Sequence, residues 1–120
     1  MKELKPFINA ISGIIHCFKS EKNFRFHSMF SVFVIILSFI LKINLIEWLF
    51  IFTAIFLVLA AEVINTSLEK TLDIIDKNHN EKIKLVKDMS AGFVLILSIY
   101  AIIVGIIVFL PKLFYILGIR

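Results

Sequence analysis

Long apolar stretches alternate with short charged segments along this chain, and the lengths of the apolar stretches match the thickness of a lipid bilayer. Residues 92–110 carry no charge, and at 1.5 Å per residue they span about 28 Å. A second apolar stretch, 45–64, has its two acidic residues near its ends. The first, 28–46, is interrupted by Lys42, whose long side chain can reach the membrane surface. The pattern predicts three transmembrane helices, and the first two are expected to form a hairpin that turns near residues 42–47.

The amino-terminal residues follow a different pattern. Apolar residues recur there at the three- and four-residue spacing of a helix: Leu4, Phe7, Ile8, Ile11, Ile15 and Phe18. This spacing predicts an amphipathic helix over residues 4–18 that lies on the membrane surface, and packing of the same face against the other helices is the alternative. A signal peptide would have a continuous apolar run instead. A short polar linker is expected over residues 20–25.

The second apolar helix is predicted to continue beyond the membrane. Helical periodicity extends to residue 76, and the polar residues 77–80 supply a break. A short amphipathic turn, 81–88, is expected to lead into the third span, and Pro111 is expected to end the bulk of that span. No internal repeat or second linker is present, so residues 1–120 are predicted to form a single membrane domain.

Composition supports a membrane protein, and the distribution of charge predicts its orientation. Hydrophobic residues make up 60% of the chain and the mean hydropathy is +0.99, which is too apolar for a soluble globular domain of this size. All but three of the 13 lysines and arginines precede the first span or lie between the second and third. Both of these segments are therefore expected in the cytoplasm. Topology accounts for the net charge of +4, so no nucleic acid partner is predicted.

Polar residues form one stripe along the last turns of the second apolar helix. At about 100° per residue, the stripe lies within about 60° of Glu62 around the helix. Its other members are Asn65, Thr66, Glu69, Asp73 and Asp76. An ionisable residue at the end of a membrane span is costly to bury, so Glu62 is a candidate functional residue. The alternative is a structural acid that is protonated or paired with Lys87.

This stripe contains the groups that phosphoryl transfer requires. Carboxylates can bind a divalent cation, and the cation can bind phosphates. The four glycines are isolated, so no glycine-rich loop is available to hold a nucleotide, which would need metal, lysine and carboxylate instead. Glu62 lies where it could accept a proton from a lipid hydroxyl. Glu69 lies about 10 Å further along the helix, within reach of a soluble Mg-nucleotide.

Three separated motifs resemble the prokaryotic diacylglycerol kinase and undecaprenol kinase family of small trimeric membrane kinases. The pattern E-x-x-N-[TS]-x-x-E-x-x-x-D is matched by Glu62, Asn65, Thr66, Glu69 and Asp73. The family's K-D pair before the last span is matched by Lys87 and Asp88. An upstream acid, an aromatic and a basic residue are matched by Glu21, Phe24 and Arg25. The resemblance covers nearly the whole chain and implies a homotrimeric bundle of transmembrane helices with an amphipathic surface helix.

The resemblance also implies an activity, which is transfer of the γ-phosphate of ATP, with Mg²⁺, to the hydroxyl of a membrane lipid. Glu62 would be the general base, and Glu21 and Glu69 would bind the metal-nucleotide. The nucleotide site would be lined by three further residues, Asn65, Lys87 and Asp88, with the lysine toward the phosphates. Three others would support it: Arg25, Thr66 and Asp73. Members of the family are homotrimers that share active sites between subunits, here expected at the cytoplasmic face of a bacterial plasma membrane.

The sequence after Lys87-Asp88 indicates the lipid acceptor. There A-G follows after two residues, as in undecaprenol kinases of the Gram-positive type, so undecaprenol is favoured over diacylglycerol. Two non-enzymatic functions are the alternatives. An ion or proton relay would place ionisable groups across the bilayer, and an adaptor would tolerate replacement of the charged residues.

The remaining reactive side chains show no pattern typical of a site. The three histidines, His16, His27 and His79, lack metal-ligand spacing. Of these, His27 is expected at the membrane interface rather than in catalysis, and His79 in a loop. Cys17 permits no intrachain disulfide and is interpreted as a packing residue.

Overall fold

Four helices account for most of the computed structural model, which describes residues 1–78 and 80–119. They are α1 (Lys5–Ser20), α2 (Lys22–Ile40), α3 (Leu45–Ile75) and α4 (Glu81–Ile116). No strand occurs within these residues, and α2, α3 and α4 are each long and apolar enough to cross a membrane. The prediction of an all-α protein with three membrane helices is confirmed. His79, expected in a loop, and Arg120 lie outside the described residues.

α1 and α2 are separated by a single residue, Glu21, whose backbone is extended (φ −114°, ψ 116°). The predicted polar linker over residues 20–25 is therefore wrong. The guanidinium of Arg25 explains the difference, because it donates hydrogen bonds of 3.0 and 2.8 Å to the carbonyl oxygens of Phe18 and Lys19. Carbonyls in the last turn of a helix lack helical partners. Arg25 satisfies two of them, so α2 can begin directly after α1.

α2 ends at Ile40 and α3 begins at Leu45, so the turn predicted near residues 42–47 is confirmed, while the first predicted span, 28–46, extends beyond the end of α2. Lys42, in the turn, has a φ of 51°, in the left-handed region. Asn44 then caps α3: its side chain accepts a hydrogen bond of 2.9 Å from the backbone N–H of Glu47. In return, the Glu47 carboxylate accepts one of 3.1 Å from the backbone N–H of Asn44. This reciprocal capping box starts a new helix and excludes a continuous one.

The start of α4 also differs from the prediction. Residues 81–88 are not a separate turn but the first part of α4. The Asn80 side chain accepts a hydrogen bond of 2.8 Å from the backbone N–H of Lys82 and so caps one long helix. The preceding break agrees with the predicted one, since α3 ends at Ile75.

Pro111 lies inside α4 and does not end it, contrary to the prediction. Proline removes one backbone donor from a helix, which weakens but need not terminate it. A contact with α3 holds the turn that follows Pro111: the ammonium of Lys112 lies 3.1 Å from the carboxylate of Glu47 at the start of α3. This ion pair connects the last turns of α4 to the first turn of α3.

α3 and α4 form an antiparallel hairpin that contains most of the buried core. Ile51 and Ala54 of α3 are buried with Val104, Val108 and Phe109 of α4. α2 packs on α3, and α1 packs mainly on α2. Because this core lies toward one end of the hairpin, α3 extends away from it and carries the polar stripe to the other end.

The apolar face of α1 is largely exposed in the single chain. Its exposed residues include Leu4, Phe7, Ile8, Ile11, Ile15 and Phe18. Such a face is suited to a lipid surface or to another subunit, so the placement of α1 on the membrane stays a prediction. Cys17, near the end of α1, is buried, in agreement with its interpretation as a packing residue.

We expect Asn44→Ala to lower the free energy of unfolding by about 1 kcal/mol, because the first turn of α3 loses its side-chain acceptor. Asn44→Asp is the matched control, since it keeps an oxygen in the same place. Unfolding of the purified protein in mixtures of a mild and a denaturing detergent measures both variants. Equal destabilisation by the two substitutions would contradict the role of the cap.

Candidate active site

Three contacts between helices lie along the polar stripe of α3. Near the middle of the helix, the carboxylate of Glu62 lies 3.3 Å from Nε2 of His27 on α2. One turn further on, Asn65 is hydrogen-bonded to a side chain of α4. Near the end of α3, Asp73 accepts a hydrogen bond of 2.6 Å from Lys87 of α4. Glu62 and Asp73 are eleven positions apart, which corresponds to about 16 Å along the helix. The stripe therefore faces α2 at one end and α4 at the other.

Glu62 is only 4% exposed in the single chain, which is unusual for a carboxylate. Glu62 contacts His27 and not Lys87, which is paired with Asp73 instead. The placement of His27 at the membrane interface stays a prediction. The negative charges of Glu21 and Glu69 also act on Glu62.

Asn65 connects the two membrane helices of the hairpin. Its Oδ1 accepts a hydrogen bond of 2.7 Å from the hydroxyl of Ser90 on α4. Its Nδ2 donates a longer one, 3.4 Å, to the carboxylate of Glu69. Ser90 and the neighbouring Thr66 are both buried. A partly buried chain of polar groups thus leads from Ser90 on α4 through Asn65 to Glu69.

The pair of Asp73 and Lys87 lies beyond the predicted span, at the more polar end of the hairpin. The hydrogen bond from Lys87 lowers the pKa of Asp73 below its ordinary value, and the charges of Lys70 and Lys77 act in the same direction. Asp88 does not join this pair. Its carboxylate lies 2.8 Å from the ammonium of Lys84, on an exposed face.

Two cavities lie at opposite ends of the hairpin. The larger, about 620 Å³, is lined by apolar residues such as Phe50, Tyr100 and Val104 near the start of α3. The smaller, about 190 Å³, lies beside Asp73 and Lys87. Phosphate chemistry requires charged groups, so we place the candidate active site at the end of the hairpin that holds the smaller cavity, whose lining is mostly charged and polar.

No three His, Cys, Asp or Glu side chains within residues 1–78 and 80–119 are grouped closely enough to hold a metal ion by themselves. Mg²⁺ typically takes one or two carboxylates and completes its shell with phosphates and water. Glu69, whose carboxylate accepts the hydrogen bond from the Asn65 amide, presents one carboxylate on the stripe.

Two residues of this site, His27 and Ser90, were not identified from the sequence. Ser90 follows Lys87 by three positions and so shares its helix face, which is a signal that could have found it. His27 is the last titratable residue before a long apolar run. Its partner lies on another helix, however, and periodicity within one helix does not reveal such a pairing.

The similarity of this chain to known proteins agrees with the family resemblance of its motifs. The sequence profile described as "Prokaryotic diacylglycerol kinase" matches residues 8–109. The chain is 37% identical over 109 residues to a protein of Bacillus subtilis named undecaprenol kinase, covering 91% of this chain and 89% of that protein. It is 34% identical over 111 residues to a protein of Synechocystis named diacylglycerol kinase, covering 92% of this chain and 63% of that protein.

We expect Lys87→Met to raise the pKa of Asp73 toward its ordinary value, because the substitution removes both a hydrogen bond and a charge. Lys70→Met is the matched control and should raise it less, since Lys70 acts on Asp73 through its charge alone. Carbon-13 NMR of the Asp73 carboxyl group across a pH titration in detergent micelles measures both shifts. Similar shifts in the two variants would contradict the assigned hydrogen bond.

Proposed function

Because the chain belongs to the prokaryotic diacylglycerol kinase family, and is therefore a membrane lipid kinase that uses ATP, we propose that its lipid acceptor is undecaprenol. The observation that carries this choice is the similarity to the Bacillus subtilis undecaprenol kinase along nearly the whole of both chains. The Synechocystis diacylglycerol kinase is a longer protein, of which this chain spans less than two thirds. The residues that follow Lys87-Asp88 support the same choice.

We propose that Glu62 is the general base. It lies on α3 where the helix leaves its apolar part, and burial beside His27 keeps water away from it. The lipid hydroxyl would give its proton to the Glu62 carboxylate while its oxygen bonds to the γ-phosphorus of ATP. The bond from that phosphorus to the bridging oxygen would break, and ADP would leave. General base catalysis of this kind requires the carboxylate to lie within hydrogen-bonding reach of the hydroxyl.

The nucleotide is proposed to bind further along α3. Glu21 and Glu69 would hold Mg²⁺, which would neutralise part of the phosphate charge. Asn65 is bonded to Glu69 and so belongs to the same group. Lys87 would move from Asp73 to the phosphates, because they carry more negative charge than a single carboxylate. The flexible side chain of lysine, with its compact charge, suits such an exchange of partners. Asp88, on the neighbouring exposed face, would contact the nucleotide from its outer side.

Three other residues are proposed to support the site. Arg25 holds the junction of α1 and α2 together, and so fixes the position of Glu21. Thr66 fills the buried space beside Asn65. Asp73 keeps Lys87 near the site when no nucleotide is bound.

The arrangement of charge supports a cytoplasmic active site. The amino terminus and the connection between α3 and α4 contain most of the lysines, so we propose that both lie on the cytoplasmic side of a bacterial plasma membrane, where ATP is available. We further propose a homotrimer with shared active sites, on the basis of the family resemblance. A relay is less consistent with the structure, because the acids gather toward one end and residues 92–110 of α4 are uncharged.

Glu62→Gln is expected to reduce phosphate transfer from Mg-ATP to lipid by about a hundredfold or more, because the amide cannot accept the hydroxyl proton. Glu47→Gln is the matched control on the same helix: glutamine can still complete the capping box, so activity should remain. Transfer of labelled phosphate in mixed micelles measures both. Full activity of Glu62→Gln would refute the assignment of the base, and tolerance of all the charged positions would favour an adaptor.

The acceptor is tested by offering undecaprenol and diacylglycerol separately at equal mole fractions in the same micelles. We expect kcat/KM to be at least about tenfold higher for undecaprenol, a difference of about 1.4 kcal/mol between the two transition states. A preference for diacylglycerol would agree with the kinase activity but would overturn undecaprenol as the proposed acceptor.

A further inference from the structure

We propose that Ser90 is a positioning residue for the nucleotide side of the active site. Its hydroxyl would hold the amide of Asn65 in one orientation, and the amide would in turn hold the carboxylate of Glu69. This inference rests on the proposed function, because it gives Glu69 a role in binding the metal-nucleotide. It adds a residue of α4 that none of the motifs in the sequence includes.

The bond that Ser90 makes is different from those of other hydroxyl groups in the helices. A helical serine or threonine commonly donates to the carbonyl oxygen four residues earlier in its own helix. Within residues 1–78 and 80–119, four hydroxyls do so: Ser31 to His27, Ser38 to Val34, Thr53 to Leu49 and Thr71 to Ser67. Ser90 instead donates across to Asn65 of α3, over 2.7 Å. This bond is therefore a tertiary contact rather than the local default.

The direction of the hydrogen bonds determines the orientation of the Asn65 side-chain amide. Oδ1 of Asn65 can only accept a hydrogen bond and its Nδ2 can only donate one. With Oδ1 occupied by Ser90, the amide directs Nδ2 toward Glu69, which can only accept when ionised. The bond to Glu69 is long, at 3.4 Å, and would restrain the amide weakly by itself. The short bond from Ser90 supplies the missing restraint.

Burial makes the contact harder to replace. Ser90 is 8% exposed, so water has little access to the position of its hydroxyl. In Ser90→Ala, Oδ1 of Asn65 would lose the hydrogen bond from the Ser90 hydroxyl, and the amide could rotate away from Glu69. The loss of one buried hydrogen bond typically weakens binding by several-fold. We therefore expect the KM for Mg-ATP to rise about three- to tenfold, with kcat and the KM for lipid changing less than about twofold.

Two further variants separate positioning from general damage to the fold. Ser38→Ala is the matched control, because Ser38 is also buried but bonds only within its own helix. It should leave the KM for Mg-ATP unchanged. Ser90→Thr keeps a hydroxyl group at the same position and should restore most of the affinity. Unfolding in mixed detergents checks that the variants are folded.

A second measurement reports on Asn65 directly and needs no activity. In nitrogen-15 NMR spectra, the side-chain amide signals of Asn65 should shift in Ser90→Ala and stay in place in Ser38→Ala. Unchanged amide signals, or an unchanged KM for Mg-ATP in an active and folded Ser90→Ala enzyme, would overturn the role of Ser90. If the unmodified protein transferred no phosphate to either lipid, the proposed acceptor and the role of Ser90 would both fail. An active wild type with an unaffected Ser90→Ala would refute Ser90 alone.

Discussion

The arrangement of this protein depends on the burial of one carboxylate, that of Glu62, near the middle of a long apolar helix. A charge in such a place is unfavourable unless other polar groups approach it. α2 supplies His27 from one side, and α4 supplies the polar contacts of Asn65 and Asp73 further along. The helices therefore converge on the polar stripe for an electrostatic reason, whereas the apolar core at the opposite end holds them together by packing.

α3 is long enough to extend from the membrane interior into water. Its first part is apolar and its last part is charged, and the helix passes from one to the other without a break. A lipid alcohol is confined to the bilayer, and ATP is confined to water. If Glu62 is the base and Glu69 a nucleotide ligand, as proposed, a single helix presents the two groups about 10 Å apart and can bring the two substrates together at the boundary.

Periodicity and charge were enough to predict the helices and the polar stripe, because both are properties of single segments. The apolar spans, the extension of α3 and the polar break after it all follow from residues that are near in sequence. The errors at the α1–α2 junction and at Pro111 have another origin. There the outcome depends on side chains such as Arg25 and Lys112 reaching another helix. The same limit explains why His27 and Ser90 were missed.

The junction between α1 and α2 determines the position of the Glu21 side chain. This residue is the whole connection between α1 and α2, and its backbone is extended between two rigid helices. The position of its side chain therefore depends on the angle between α1 and α2, which the hydrogen bonds of Arg25 hold. If Glu21 and Glu69 share a metal-nucleotide, as proposed, the distance between their carboxylates depends on how the exposed apolar face of α1 is packed, as well as on the α3–α4 hairpin.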